Sequence, residues 1–222
     1  MVDAGSAKQR LLEAAGRIFA ERGYEAATVR DICAQADVNL AAVNYHFGDK
    51  ERLYIEAVKW AHAQKLAKIP PTPPPPGATP QQRLRHFIRT LLARMVFDHQ
   101  EPAWCTQLVM RELAMPTSAC QELTREFIRP QFEQLVALIA ELAPPRTPAR
   151  QLHLLGFSIV GQCLHQRLAR PIIGHLVGPE EQASYDLDRL TDHITSFSLH
   201  GIAGVARRQD NLRSAALGAK RS

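Results

Sequence analysis

An all-α fold is predicted by three observations. Apolar residues recur three and four positions apart along most of the chain, no convincing strand competes, and prolines and glycines fall where helices must stop. A run of prolines, Pro70, Pro71 and Pro73 to Pro76, cuts the sequence into a short N-terminal region and a longer C-terminal one. No helix continues through consecutive prolines, which lack N–H donors and favour polyproline II. The predicted organisation is therefore residues 1–68, a semi-rigid spacer at 69–80, a helical domain at 81–207, and a basic tail at 208–222 whose composition predicts disorder.

Four helices are expected before the spacer. The first runs from about Ala7 to Arg22, capped by Ser6 and stopped by Gly23, with Leu11, Ala15, Ile18, Phe19 and the stem of Arg22 on one face. The second begins at Thr28, with Asp31 three residues on completing a capping box, and buries Val29, Ile32, Cys33 and Ala36. Asp37, Val38 and Asn39 form a tight turn; Asn39 caps a third helix, Leu40 to Phe47, ended by Gly48. A fourth starts after Asp49 and reaches about Lys68. Beyond the spacer the periodicity predicts helices at roughly 80–99, 103–115, 118–143, 149–169 and 187–207. Pro144, Pro145, Pro148, Pro171, Gly174, Gly178 and Pro179 mark the breaks.

Composition excludes several classes. At 222 residues and 45% hydrophobic, the chain can bury the core of a small domain fused to a medium one. Cys33, Cys105, Cys120 and Cys163 lie far apart, with no CxxC and no His pair at zinc spacing, so neither a metal site nor a disulfide framework is expected. The first ten residues carry no apolar signal, and no later run approaches the ~20 residues of a membrane span, so a cytoplasmic location is expected. The net charge of +5 is misleading: residues 1–68 hold ten Lys and Arg against nine Asp and Glu, 69–206 hold twelve against twelve, and 207–222 hold five against one. Any nucleic-acid binding must rest on where residues are placed rather than on bulk charge.

Placement does point to DNA. Two short helices joined by a three-residue turn and braced by longer helices set a recognition helix into a major groove. On the third helix Val43 and Phe47, with Val38, face the core, leaving Leu40, Ala41, Asn44 and Tyr45 outward. Apolar side chains can meet thymine methyls, and Asn can pair bidentately with adenine. Around that strip, Thr28 and Asn39 sit at helix N-termini that favour an anion, while Tyr45, His46 and Lys50 offer donors for successive phosphates. Arg30 can reach a phosphate or a guanine edge.

The stretch from Thr28 to Tyr54, with Thr28, Ile32, Ala36, Val38, Tyr45, Phe47, Lys50 and Leu53 at these spacings, resembles the DNA-binding signature of the TetR repressor family. Within that family, the run Val43 to Gly48 and the segment Phe157 to Pro171 resemble the CecR-like subgroup. The resemblance implies an N-terminal three-helix helix-turn-helix domain joined to a C-terminal ligand-binding and dimerisation bundle. It also implies phosphate contacts from Lys50 and Tyr45 and base reading at Leu40, Ala41 and Asn44. Asp37 stands where members usually carry glycine, which is tolerable because Asp adopts left-handed backbone.

By the same resemblance the partners are double-stranded operator DNA, a second copy of the chain and a small, largely apolar effector, with no cofactor. Phe87, Leu91, Met95, Trp104, Met110, Phe127 and Phe132 supply apolar lining for the effector, with Gln107, Arg111, Gln162 and His165 as polar contacts. Leu155, Gly156, Ile159, Leu199, Ile202 and Val205 supply the dimer face. The expected function is a repressor released from a palindromic operator by that effector. Two alternatives are an architectural DNA binder using the Arg-rich tail and, more remotely, a helical enzyme, for which no catalytic constellation is found.

Overall fold

The computed structural model describes residues 6–70, 72–97 and 102–219, with side chains described as far as Val205. Twelve helices and no strand are found among these residues. Local chemistry sets the first four. Helix α1 (Ala7–Ala26) is capped by Ser6, whose side chain accepts from the Gln9 N–H. Gly23 takes φ 83°, so regular helix stops at the glycine and a last turn carries the chain to Ala26. Helix α2 (Val29–Ala36) starts where the Thr28 hydroxyl accepts from the Asp31 N–H at 3.1 Å. The reciprocal half of the expected capping box is not the bond the Asp31 carboxylate makes; it pairs with Arg22 at 3.0 Å. Asp37 turns the chain in left-handed conformation, φ 51°. Helix α3 (Leu40–Phe47) is capped by Asn39 Oδ1, and α4 (Lys50–Lys68) by Asp49 Oδ1.

Helix α5 (Pro80–Leu92) opens with a complete capping box between Thr79 and Gln82 and Pro80 in the first turn. It continues as a π turn, Ala93–Phe97, which places Arg94 in the interior with its guanidinium donating to Gln131 Oε1. Then come α6 (Ala103–Ala114), α7 (Ser118–Leu123) and α8 (Arg129–Leu142), the last two joined by a second π turn, Thr124–Ile128. Thus the expected stretch 118–143 is interrupted by a change of helical period. Helix α9 (Ala149–Leu168) is followed by two short helices that the prolines and glycines had concealed, α10 (Arg170–Val177) and α11 (Pro179–Ala183). The final helix, α12 (Leu187–Ala219), extends through the segment for which disorder was expected; residues 220–222 lie outside the described residues.

Two compact units result, and their division differs from the one the prolines suggest. The first comprises residues 1–70 with 99–129, the second 71–98 with 130–222. Helices α6 and α7 thus belong with the N-terminal helices. Their Trp104, Leu108 and Leu123 share a core with Leu11, Ile18 and Phe19 of α1, Ile32 of α2, Val43 of α3 and Leu53 of α4. The reason is steric as well as apolar: a Cβ on Gly16 would come within 2.1 Å of the Trp104 ring, so α1 can meet α6 this closely only through glycine. In the second unit Leu84, Ile88 and Leu92 of α5 pack with Leu135 and Ile139 of α8, Ile159 and Cys163 of α9, and Ile194 and Ile202 of α12. Each such side chain contributes roughly 1.5–3 kcal/mol when removed from water. The proline segment is no straight strut: Ala78 N–H closes a turn on Pro75 O, and Thr72 is tied to His86.

Candidate nucleic-acid interface

Two faces of α3 are separated cleanly. Val43 and Phe47 are buried, and Val38 packs against the same core. On the other side Tyr45 is 85% exposed and Leu40 56% exposed, with Ala41 and Asn44 also exposed. A bulky aromatic and a leucine held in water by a rigid eight-residue helix cost hydrophobic free energy unless something covers them. The Tyr45 ring lies 4.9 Å from that of His46, which is half-buried and also meets Phe47.

The surrounding residues are placed as follows. Thr28 and Arg30 are exposed at the start of α2, but the Thr28 hydroxyl is already engaged as a cap acceptor, leaving its O–H free to donate. Asn39 Oδ1 is likewise engaged by Ala42 N–H at 3.0 Å, so only the amide nitrogen is available outward. Lys50 is not an unattached surface cation. Its Nζ donates to the Glu25 carbonyl at 3.3 Å and lies 4.6 Å from the centre of the Tyr24 ring. Tyr24 is therefore a residue that sequence reasoning missed; its hydroxyl is pushed up in pKa by burial and by the neighbouring Glu51, Glu25 and Asp49. A cation held over an aromatic face is pre-oriented, which lowers the entropy cost of meeting a phosphate. The α2–α3 turn is further tied by Cys33 Sγ to Asn39 O at 3.8 Å.

A family model described as "HTH-type transcriptional dual regulator CecR, C-terminal domain" matches residues 80–202, more than half of the chain. A second, "Bacterial regulatory proteins, tetR family", matches residues 11–57, which hold α2, α3 and most of α1. The chain belongs to the TetR family, in its CecR branch. The HTH-type transcriptional dual regulator CecR of Shigella flexneri is 28% identical to this TetR-family chain over 202 residues, covering 85% of the chain and 89% of the relative. The HTH-type transcriptional repressor AcnR of Corynebacterium glutamicum is 41% identical over 64 residues, which cover 29% of the chain and 34% of AcnR. A bacterial regulatory protein in the tetR family from Rhodococcus RHA1 shares the fold at TM-score 0.61 and 19% identity, covering 89% of this chain and 97% of its own. Such proteins are DNA-binding transcriptional regulators, and this TetR-family member is one of them rather than an enzyme.

For this regulator the residues expected to line an effector site divide between the units. Trp104, Gln107, Met110, Arg111 and Phe127 belong to the first; Phe87, Leu91, Met95, Gln162 and His165 belong to the second, as does Phe132. Trp104 is core: it stacks on Trp60 at 5.7 Å with Arg17 above it. Phe127 meets His62 edge to face at 5.1 Å, and the Arg111 guanidinium fills the space beside Gly23. Gln107 and His165 stand exposed, and Gln162 donates back to Ser158 O of its own helix. Phe87, Leu91 and Met95 lie half-buried against the second core.

The residues expected at the dimer face are divided by burial within the protomer. Gly156, Ile159 and Ile202 are buried inside the protomer, Gly156 directly against Phe132, while Leu155 and Leu199 pack on the same core and Val205 is half-buried. On the opposite side of the same helices Leu154, Phe157 and Gly161 of α9 and Phe197, Gly201 and Gly204 of α12 are exposed. Both sides of these helices are apolar, so periodicity alone could not tell the inner stripe from the outer. Among the described residues no helix is long and apolar enough to cross a membrane.

Proposed function

We propose that the chain acts as a homodimeric repressor that holds a palindromic operator and leaves it when a small, largely apolar effector binds. The observation that carries this reading is the outward face of α3, where Leu40, Ala41, Asn44 and Tyr45 stand exposed while Val43 and Phe47 close the core behind them. In it Leu40 and Ala41 meet thymine methyls, Asn44 reads adenine, and Tyr45, His46, Lys50, Thr28, Arg30 and the amide of Asn39 hold phosphates. The small residues and aromatics left exposed on α9 and α12 support pairing about a two-fold axis, with recognition helices about 34–36 Å apart. Release then requires an effector that prefers a dimer of different spacing, since binding without preference shifts nothing.

Fragments bound from random DNA should contain an inverted repeat with half-sites about one helical turn apart. Against the selected site, Asn44→Ala should weaken binding by about 1–3 kcal/mol and relax one position in each half-site. Tyr45→Ala should weaken all sequences alike. Unselective binding lost on removing residues 208–222 would instead identify an architectural protein.

A further inference from the structure

Of the eleven large apolar side chains left exposed among the described residues, seven lie on α9, α10 and α12: Leu154, Phe157, Leu168, Ile172, Leu176, Val177 and Phe197. Helix α10 is the extreme case. It buries none of its residues, yet Ile172 is 59% and Leu176 76% exposed. Its geometry is built rather than loose. Pro171 removes one helical N–H, so α9 ends at Leu168, but Ala169 stays near helical backbone (φ −91°, ψ 4°), with its N–H on His165 O and its carbonyl accepting from Ile173. The chain therefore bends without losing register. Leu154, Phe157, Gly161, His165, Leu168, Ile172 and Leu176 follow one another at three and four residues, a single exposed stripe running from α9 onto α10.

The other side of α10 is closed. Gly174, about 200° around the helix from Ile172, is covered by the Gln182 side chain, which also donates to Arg170 O; a Cβ at Gly174 would lie 2.6 Å from Gln182 Oε1. Helix α11 is in turn fixed to the start of α12: Tyr185 OH donates to Glu181 at 2.6 Å and Arg189 donates to Ser184 at 3.1 Å. Helix α11 thus braces the Gly174 side of α10 and leaves the Ile172 and Leu176 side open.

We infer that α10 is a clasp for a second copy of this chain, its Leu168, Ile172 and Leu176 extending the paired α9 face onto the partner. The inference rests on the dimer reading above. The occupant is a second copy because the stripe is continuous, without a polar interruption longer than His165, with the Leu154, Phe157 and Gly161 face assigned to the two-fold. A face bound to some other partner would need no register with that one. A braced helix also loses little conformational entropy on docking.

Sedimentation equilibrium of the full chain tests this with two variants. Ile172→Asp combined with Leu176→Asp touches no buried side chain, so helix content by circular dichroism should match the parent, while the dimer dissociation constant should rise roughly tenfold or more. If helix content falls, Leu176→Ser alone should still raise the constant. Phe157→Asp should weaken the dimer independently. A double variant that dimerises like the parent, while Phe157→Asp does not, overturns the clasp and leaves the dimer intact; so does binding to anionic lipid vesicles that requires Ile172 and Leu176 at an unchanged dimer constant. A parent chain that is monomeric at all concentrations overturns both. A dimer broken by the double variant but indifferent to Phe157→Asp also overturns the proposal, because α10 would then extend no paired α9 face.

Discussion

In the N-terminal unit α4 meets α6 and α7 through an apolar core that holds a buried carboxylate and carries a charged rim, whereas in the C-terminal unit α5 meets α9 and α12 across a seam of aliphatic carbon alone. Along the first seam Glu51 accepts from Ser118, Arg52 pairs with Glu122, Tyr54 donates to Glu112, and Lys59 reaches Glu122 and Glu126. Glu112 is wholly buried, one oxygen taking the Tyr54 O–H at 2.7 Å and the other the Thr117 N–H at 2.7 Å. Along the second seam Leu84, Ile88, Leu92, Ile159 and Ile194 are buried, and the pairs Arg85 with Asp192 and Arg89 with Asp188 lie outside it in solvent. Apolar packing tolerates sliding between neighbouring minima; buried hydrogen bonds specify one arrangement, because any other leaves donors unmet. The helix that begins at Lys50, beside the recognition helix, is thus held in one register against α6 and α7.

The largest effect expected is at Glu112. Glu112→Leu leaves the Tyr54 hydroxyl and the Thr117 N–H without acceptors, at a cost of roughly 3 kcal/mol, while Glu112→Gln keeps an acceptor and costs about 1 kcal/mol. Both tryptophans of the chain, Trp60 and Trp104, stack together in the first unit, so their fluorescence during urea unfolding reads that unit, and helical circular dichroism reads both. A neutral or stabilising Glu112→Leu would mean that the seam could have been apolar, and the contrast between units would lose its meaning.

Legibility in the sequence followed the same divide between local and distant causes. Caps at Ser6, Thr28 and Asn39 were readable because an N-cap acts within three residues, and the two faces of α3 were readable because one is apolar and the other is not. Glu112 was invisible: one acid between Arg111 and Leu113 reads as solvated surface, and only partners 58 and 5 residues away reveal it as buried. The kinship of α6 and α7 with α1 and α4 depends on the fit of Gly16 to Trp104, a long-range match that no periodicity carries. Helices α10 and α11 were hidden for the opposite reason, since Pro171 and Pro179 at their first turns look like breaks but also start helices.

Alkaline pH should separate the units by a moderate amount. Burial pushes the Cys163 thiol in the second core up to about 12. A thiol raised in the folded state contributes stability that is complete below the unfolded value of about 8.5 and is lost as pH rises toward the folded one. Circular dichroism melts between pH 8.5 and 10.5 should therefore show stability falling by up to ~1.4 kcal/mol per pH unit from this group. Cys163→Ala should flatten that slope. In the first unit burial also raises the Cys33 thiol, by less, and Tyr54, raised by burial and by Glu112, adds to the loss above the ordinary tyrosine value near 10. A fluorescence-detected loss that precedes the circular dichroism loss would reverse the assignment.

The smallest effect expected is at the solvent edge of the charged seam. Lys59 is 15% exposed and lies within 3.5 Å of carboxylate oxygens of Glu56, Glu122 and Glu126, and its hydrogen bond holds the Glu126 carboxyl below its usual pKa. Lys59→Met keeps the aliphatic stem but leaves three acids facing one another, with Arg52 and Arg125 still beside Glu122. The two arginines limit the loss to about 1 kcal/mol at low salt. Because these groups reach solvent, 1 M salt shortens the screening length to about 3 Å and should erase most of the difference. The Glu112→Leu loss, set in the interior, should survive the same salt. Equal salt sensitivity of the two variants would show that the seam is governed by surface charge throughout rather than by a buried carboxylate with a charged rim.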